Sequence, residues 1–507
     1  MGTQRRPRPR RGPPLPGALD HPDHPVPVAV PSDPGPRVDS AGDDDAAAAS
    51  VDLLRGRAAA DLATAPVAAA RTGPGSPRRE GPGSRGRRTG RVRTPTRSVT
   101  TTHSTTHPPR LFLLLGPAFV AAVAYVDPGN VAANLTAGAR YGYLLLWVLV
   151  VANIMAILVQ YLSAKIGVVT GRSLPELLGM RLRTPARRAF WLQAEVMAIA
   201  TDVAEVIGGA LALHLLFGLP LFVGGLITGA VSIAILAVQD RRGQRSFEFV
   251  VVSLLAIITV GFLTGLAFTD VSLTDATAGL VPRFQGTETV LLAASMLGAT
   301  VMPHAIYLHS ALARARHGRV EPGPRLDRVM RATRWDVVGG LVVAGSVNIG
   351  MLLLAASALR GRDGTDSIEG AHAAITDSLG PTIGVVFAIG LLASGLASTA
   401  VGSAAGAEIM AGLLHIRLRP VVRRVVVMVP ALILLAVGVD PTFALVLSQV
   451  VLSMCIPFAL VPLVRISSDA VLMGGQRNRP ATSAAAWLTV GLIVALNAAL
   501  LWLTFSG

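Results

Sequence analysis

The sequence predicts an all-α membrane protein with about eleven transmembrane helices, two of which are broken. Of its 507 residues, 51% are hydrophobic and 15% are charged, a composition too apolar for an ordinary soluble protein of this length. Apolar stretches long enough to cross about 30 Å of hydrocarbon recur along the chain, separated by short polar connectors. Because a segment in lipid must satisfy its backbone hydrogen bonds internally, each stretch is predicted to be a helix.

About eleven apolar stretches begin at Leu111, and we number them spans one to eleven in chain order. They lie near residues 111 to 139, 143 to 166, 190 to 216, 219 to 238, 247 to 268, 289 to 313, 335 to 359, 382 to 414, 421 to 438, 441 to 464 and 485 to 504. We therefore expect residues 110 to 507 to form one multi-pass domain in the plasma membrane.

Residues 1 to 109 differ from the rest of the chain in composition. They are rich in Pro, Gly, Ala, Ser and Arg and show no sustained apolar periodicity, so they cannot bury enough apolar surface to fold and are predicted to be disordered. They also lack the apolar core of a secretory signal. We expect either a solvated basic tail or an extension from a start codon assigned too early. The functional alternative is a tether to anionic lipid or nucleic acid.

The net charge of +15 comes mainly from arginines in this tail and in alternate connectors. Basic connectors of membrane proteins face the cytoplasm. Here they follow spans two, four, six, eight and ten and contain Arg172, Arg181, Arg183, Arg187, Arg188, Arg241, Arg242, Arg245, Arg314, Arg316, Arg319, Arg325, Arg328, Arg331, Arg334, Arg417, Arg419, Arg465, Arg477 and Arg479. The other connectors carry few basic residues and include the acidic segment from Asp363 to Glu369. We therefore expect a cytoplasmic amino terminus, an extracellular carboxyl terminus and no nucleic-acid partner.

Spans one and six each contain a helix-breaking sequence, DPGN at 127–130 and MPH at 302–304. The two breaks occupy corresponding positions five helices apart, so spans one to five and six to ten would form an inverted repeat. Interrupted helices at matching positions of two halves indicate a binding site near the bilayer midplane. The alternative is a pair of ordinary proline kinks, which membrane helices tolerate.

The breaks supply oxygen ligands. Proline lacks an amide hydrogen, so Pro128 should free the carbonyl of Ala124 and Pro303 should free that of Ala299. Asp127 adds a carboxylate whose charge is costly inside a membrane without a counterion.

Two further side chains define the type of ion that the breaks could hold. Asn130 adds a neutral carbonyl oxygen one helical turn from Asp127. Met302 adds a soft thioether, which favours transition metals over calcium and magnesium. The alternative for Met302 is simple packing, the common role of membrane methionines.

Span three carries three carboxylates, Glu195, Asp202 and Glu205, whose spacings of seven and three residues place them near one helix face. Carboxylates inside a membrane usually line a proton relay or face a basic partner. The structural alternative is that Asp202 and Glu205 only pair with Arg423 or Arg424 to hold the bundle together.

These motifs resemble those of the Nramp family of divalent-metal transporters. The likeness rests on DPGN at 127–130 and GATVMPH at 298–304, and extends to AE and ATDVAEVIG within 194–208 and to SQVVLS and PFA within 448–459. It covers roughly residues 110 to 505 in one register, whereas the tail has no recognised counterpart.

The resemblance implies a LeuT-type fold with a 5+5 inverted repeat, and cotransport of metal with protons. By matching position it assigns the metal to Asp127, Asn130, Met302 and the carbonyl of Ala299, joined in some conformations by the carbonyl of Ala124 and the side chain of Gln449. It assigns the proton route to Asp127, His304, Asp202, Glu205 and Arg424, to which the stripe on span three adds Glu195. Alternatives remain for two of these residues, since His304 could be a hydrogen-bonded core histidine and Gln449 could join helices. We expect His309 and Cys455 to be packing residues.

The chain is therefore expected to be a proton-coupled symporter that carries manganous or ferrous ions, and chemically similar cobalt or cadmium, into the cytoplasm. Metal ions and protons are its substrates and the bilayer its surroundings, with no cofactor and no obligate protein partner. Related alternatives are an Nramp-like magnesium transporter, which lacks the site methionine, and an amino-acid symporter of the LeuT fold. An enzyme is not expected, because no span carries a His-Glu-x-x-His pair or a serine nucleophile with a plausible base. Eleven spans with two matched breaks would be excessive for a membrane anchor.

Overall fold

The computed structural model describes residues 116–506 apart from 363, 366, 417 and 419. The predicted tail at 1 to 109 lies outside these residues, as do Arg417 and Arg419 of the predicted cytoplasmic connectors. The described residues form helices joined by short connectors, with no β-strand among them. The all-α class predicted from the sequence is confirmed.

Each predicted span corresponds to helical structure. Span one is Pro117–Val123, a 3-10 turn at Ala124–Val126 and Pro128–Tyr141; the others are Leu146–Thr170, Thr184–Phe217, Leu221–Arg242, Gln244–Leu266, the two halves of span six at Gly286–Thr300 and Pro303–His317, then Pro324–Ala358, Pro381–Leu414, Pro420–Val437, Pro441–Ser467 and Pro480–Ser506. Short helices in the connectors are Leu174–Arg181, Leu273–Ala278, Ile368–Leu379 and Ala470–Met473, the last followed by a 3-10 turn at Gly474–Gln476.

Eight of these spans are long and apolar enough to cross a membrane by length and composition among the described residues. The remaining three are span one, which is broken, span four, whose apolar part is Leu221–Ala237, and span nine, an 18-residue helix with Pro430 inside it. The structure is therefore that of a multi-pass membrane protein.

Several helices begin well before the apolar stretch that predicted them. Span three was expected from residue 190 and begins at Thr184, and span seven was expected from residue 335 and begins at Pro324. Both begin with a proline in the first turn, where its missing amide costs no helical hydrogen bond. The apolar pattern marks only the part of a helix within lipid, so polar turns that extend into water were missed.

Span eight lies at the centre of the fold, where it packs along both span three and span five. Its sequence is rich in Gly, Ala and Ser, and small residues let membrane helices approach closely. Span one contacts spans six, seven, eight and ten around its break. The break therefore lies inside the bundle, where polar groups from several helices can reach it.

An ion-pair cluster joins the connector between spans two and three to spans six and eight. Glu176 forms a capping box with Ser173 at the start of Leu174–Arg181, and Arg314 pairs with both Glu176 and Glu408. Burial acts to raise the pKa of the Glu176 carboxyl. The hydrogen bonds from the Ser173 amide and Arg314, with the charge of Arg314, outweigh burial and hold this pKa below its ordinary value.

The charge asymmetry of the connectors predicts which residues each side of the membrane exposes. Thr365 is only 5% exposed and so is a poor labelling site, whereas Arg362 and Arg241 are exposed. In a background in which the sole cysteine, Cys455, is replaced by serine, Arg362→Cys should react with a membrane-impermeant maleimide added outside intact cells. Arg241→Cys should react only after the cells are opened. The reverse pattern would overturn both the orientation and the proposed entry sides of the two repeats.

Candidate metal site

The break in span one is built around Asp127. The chain passes from the 3-10 turn at Ala124–Val126 into an extended conformation at Asp127, with φ −81° and ψ 168°, and Pro128 begins the second half-helix. Asp127 is buried, and its Oδ1 accepts a hydrogen bond of 2.7 Å from the Asn130 amide. The carboxylate thus caps the half-helix and lies at the positive end of its dipole.

The break in span six has the same form. Val301, with φ −103° and ψ 67°, and Met302, with φ −65° and ψ 115°, leave the helical conformation, and Pro303 begins the second half-helix. Both side chains are fully buried. The carbonyl of Ala299 accepts a hydrogen bond of 2.9 Å from Asn130 Nδ2, as expected of a carbonyl that lost its helical partner.

Asn130 and Gln449 join the two breaks to span ten. Asn130 Nδ2 donates to Asp127 Oδ1 at 3.0 Å, and Gln449 Nε2 donates to Asp127 Oδ2 at 3.1 Å. The absence of a side chain at Gly129 allows this approach, since a Cβ there would lie 1.7 Å from Gln449 Nε2. Four of the six predicted metal residues, Asp127, Asn130, Ala299 and Gln449, are therefore linked by direct hydrogen bonds.

The other two predicted ligands, Met302 and the carbonyl of Ala124, lie within the breaks themselves, and both residues are fully buried. Within the described residues, no group of three or more His, Cys, Asp or Glu side chains could hold a metal ion. A metal site at the breaks would therefore depend on one carboxylate, neutral oxygens and a thioether.

Two buried oxygens at the breaks have no hydrogen-bond donor among the described residues. They are Asn130 Oδ1 and Gln449 Oε1, the acceptor atoms of the same two amides whose nitrogens contact Asp127. A buried acceptor without a donor costs free energy. Rotation of each carboxamide by about 180° would present its oxygen to the Asp127 carboxylate, an arrangement that requires a cation between them.

Spans seven and eight support the break, a feature that the sequence analysis missed. Asn348 Nδ2 donates to the carbonyl of Tyr125 at 2.7 Å, and Asn348 Oδ1 accepts from Asn134 Nδ2 at 2.9 Å. Ser394 Oγ donates to the carbonyl of Val126 at 2.6 Å. The sequence did contain a signal, namely polar residues inside apolar spans. Such side chains need hydrogen-bond partners within the protein, because lipid offers none.

His304 connects the second break to span three. Its ring is buried, with Nδ1 3.4 Å from the Thr201 hydroxyl and Nε2 without a partner among the described residues. Thr201 is the neighbour of Asp202 in the chain. His304 thus joins the second break to the part of span three that carries Asp202 and Glu205.

The carboxylates of span three differ in their partners. Asp202 forms a buried ion pair with Arg424, whose Nε donates to Ser232 Oγ at 3.0 Å, and Glu195 pairs with Arg423 at 3.0 Å. The pairing that the structural alternative names is present for Asp202, whereas no described cation pairs with Glu205.

Glu205 has no cationic partner within ion-pair distance among the described residues. Both of its carboxylate oxygens are buried and accept no hydrogen bond from a described donor. The charges of Asp202, Arg424 and Asp127 act on it through space. Gly402 of span eight allows it this position, since a Cβ there would lie 2.9 Å from Glu205 Oε1. The sequence could not distinguish it from Asp202, because both lie on the same helix face.

His309 and Cys455 are buried away from these carboxylates. His309 Nδ1 lies 2.8 Å from Gln160 Oε1, and Gln160 Nε2 donates to the Tyr125 hydroxyl at 2.6 Å. His309 is thus hydrogen-bonded in the core, which agrees with the expectation of a packing role. Cys455 is a buried free thiol.

Relatives with established names share most of this sequence. The divalent metal cation transporter MntH of Mycobacterium tuberculosis is 56% identical over 424 residues, covering 84% of this chain and 97% of that protein. MntH of Bacillus subtilis is 44% identical over 398 residues, covering 78% of this chain and 93% of that protein. These relatives are named as transporters and not as enzymes.

Solved structures share the fold. The manganese transporter of Eremococcus coleocola, in complex with an aromatic bis-isothiourea substituted compound, superposes with a TM-score of 0.70 at 29% identity and covers 79% of this chain and 90% of its own. MhsT in complex with L-phenylalanine has a TM-score of 0.53 at 15% identity, covers 78% of this chain and 98% of its own, and shows the fold alone. The LeuT-type architecture with broken spans one and six is confirmed.

A sequence model of one family spans almost the whole described region. It is the Nramp model, described as natural resistance-associated macrophage protein-like, and it matches residues 118–503. The match includes both breaks and every residue predicted for the metal and proton routes. The resemblance drawn from the motifs is confirmed, and the chain belongs to the Nramp family.

Proposed function

We propose that this protein imports divalent transition-metal ions, manganous and ferrous above all, by symport with protons. The observation that carries the proposal is the hydrogen-bonded group of Asp127, Asn130, Ala299 and Gln449 at two matched helix breaks, with Met302 in one of them. The relatives' names, divalent metal cation transporter and manganese transporter, agree with it.

The cation would replace hydrogen bonds that the site makes in this structure. Asn130 and Gln449 now direct their nitrogens at Asp127, which partly compensates the carboxylate. A divalent ion beside Asp127 would favour the rotated amides, whose oxygens then coordinate it together with the carbonyl of Ala299. The two unpartnered amide oxygens gain a partner in this arrangement, so binding removes a cost that the protein otherwise carries.

The proton would use the groups between the site and span three. Asp127 is titratable, buried and the proposed ligand, so loss of its proton and binding of metal are linked. His304 follows Pro303 in the second break and contacts Thr201 of span three, and Glu205 is the carboxylate of span three that has no cationic partner among the described residues. The opposite charges of Asp202 and Arg424 neutralise each other, and we assign to this pair the role of fixing the electrostatic field around Glu205.

The amino-acid symporter alternative lacks support at this site. Such a transporter would bind the carboxylate of its substrate at the free amides of a half-helix amino terminus. Here the side chain of Asp127 already accepts the Asn130 amide at that terminus. A second carboxylate at the same place would be repelled, whereas a cation would be attracted.

Uptake by purified protein in liposomes under an imposed pH gradient tests cargo and coupling together. Asp127→Asn should abolish saturable manganese uptake, because it removes the only formal charge at the breaks. Loss of one partner of a buried charge pair lowers the binding free energy by about 3 kcal/mol or more, which corresponds to a roughly hundredfold lower affinity for the ion. Asp275→Asn, an exposed carboxylate in a connector, is the matched control and should transport normally. Near-normal transport by Asp127→Asn would exclude the proposed site.

Glu205→Gln should separate proton coupling from metal binding. The substitution keeps the shape of the side chain and removes its ability to exchange a proton, and the residue makes no hydrogen bond to the metal group. The manganese affinity of this variant, measured by calorimetry, should stay within about threefold of the wild-type affinity, a difference of under about 1 kcal/mol in binding free energy. Stimulation of uptake by an inward proton gradient should be lost. An equal loss of affinity and coupling would show that Glu205 has a structural role.

Met302→Ala should change selectivity more than activity. Calcium and magnesium gain almost nothing from a thioether, so removal of the sulfur should leave a roomier, oxygen-only site that accepts them. Cadmium, the softest candidate, should lose most of its affinity, whereas manganese uptake persists. The measurement is uptake of manganese and cadmium under a large excess of calcium.

Met296→Ala is the matched control for Met302→Ala, because Met296 is an equally buried methionine six residues earlier in the same span. It should lower stability without changing selectivity, as loss of a packed side chain does. If calcium fails to inhibit uptake by Met302→Ala and its affinity for cadmium equals that of the wild type, Met302 is only a packing residue. The preference of the site for transition metals would then lack its main physical support.

A further inference from the structure

A cavity of about 470 Å³ lies where span three begins and span eight ends, at the face that we assign to the cytoplasm. Its lining includes two arginines, a tryptophan and three aliphatic side chains, namely Arg187, Arg188, Trp191, Leu192, Leu414 and Ile416. It is separate from the candidate metal site, and the proposed transport mechanism does not use it.

Two residues that line this cavity each have a hydrogen-bond donor without an acceptor. Arg187 Nε and Trp191 Nε1 are buried and have no partner among the described residues. Arg187 otherwise makes only long contacts, 3.5 Å to the carbonyl of Gly179 and 3.4 Å to the ring of His415. Buried donors normally find an acceptor, so the geometry favours an occupant rich in acceptor oxygens.

The charge at the cavity is also uncompensated. Neither Arg187 nor Arg188 forms an ion pair with a described residue, and no carboxylate lines the cavity. Both arginines lie near the amino terminus of span three, whose first turn contains no acidic residue and whose N-cap makes no side-chain hydrogen bond. The positive end of the helix dipole adds to their charge, so an anion would be stabilised there.

The other half of the cavity is apolar and exposed. Leu192 is 59% exposed one turn from Arg188, and Ile416 is 48% exposed beyond the end of span eight. Arginine and tryptophan beside exposed aliphatic side chains are typical of the boundary between headgroups and hydrocarbon. Free phosphate would use only the polar half of this cavity, whereas a phospholipid would use both.

We propose that this cavity binds an anionic phospholipid of the cytoplasmic leaflet. The lipid phosphate accepts hydrogen bonds from Arg187, Arg188 and the Trp191 indole, and an acyl chain runs along Leu192 and Ile416. Basic pockets between transmembrane helices bind anionic headgroups in the same way. The lipid joins the ends of spans three and eight, one turn from the Glu195–Arg423 pair.

The test is lipid retention by the full-length protein in native mass spectrometry. Protein stripped in detergent is titrated with phosphatidylglycerol, and Arg187→Gln/Arg188→Gln is compared with Arg241→Gln/Arg242→Gln, which removes the same charge from an exposed pair at the end of span four. The wild type and the span four variant should retain one tightly bound lipid. The Arg187→Gln/Arg188→Gln variant should need at least about tenfold more lipid, as expected for two lost charge-assisted hydrogen bonds.

Two further measurements distinguish a lipid phosphate from free inorganic phosphate. Phosphatidylcholine should compete poorly with phosphatidylglycerol, and inorganic phosphate at the same concentration should not displace the lipid. Trp191→Phe removes the indole donor and should weaken retention of phosphatidylglycerol. The melting temperature of this variant without lipid should equal that of the wild type. Equal retention by wild type and Arg187→Gln/Arg188→Gln would overturn the proposal, and so would displacement of the lipid by inorganic phosphate.

Discussion

In a membrane, a backbone group that leaves its helix must find a partner inside the protein, and this structure depends on that constraint. The breaks at 127–130 and 302–304 remove helical hydrogen bonds in the middle of spans one and six. Side chains from spans seven and eight satisfy the carbonyls of Tyr125 and Val126, just before the first break, and Asn130 satisfies that of Ala299 before the second. The polar groups that preserve the fold are thus the groups that surround the candidate site, so site and bundle cannot be altered independently.

The buried charges divide into those that compensate each other and those that do not. The ion pairs Asp202–Arg424 and Glu195–Arg423 are largely self-compensating, and a buried pair of this kind is costly to break. Asp127 and Glu205 have no cationic partner within ion-pair distance among the described residues. The proposed function uses these two, because only a carboxylate without a fixed cation can exchange one charge, a metal ion or a proton, for another.

The proposed lipid cavity and the proposed transport route share span three. Its first turns carry Arg187 and Arg188, and its later turns carry the three carboxylates predicted for the proton route. Because a helix transmits a shift at one end to the other, an occupant that fixes its cytoplasmic end would restrict its motion against span eight.

The sequence by itself determined the membrane class, the number of spans, the positions of both breaks and the residue types at them, since hydropathy and proline act locally. It predicted the ends of the helices less accurately, because their terminal turns are polar and lie outside the apolar stretches. Only the tertiary structure decided which carboxylate of span three is paired, and that Asn348 and Ser394 complete the first break. Residues on one helix face look alike in sequence. Their electrostatic roles depend on the helices they meet, such as the position of Arg424 opposite Asp202 and of Gly402 opposite Glu205.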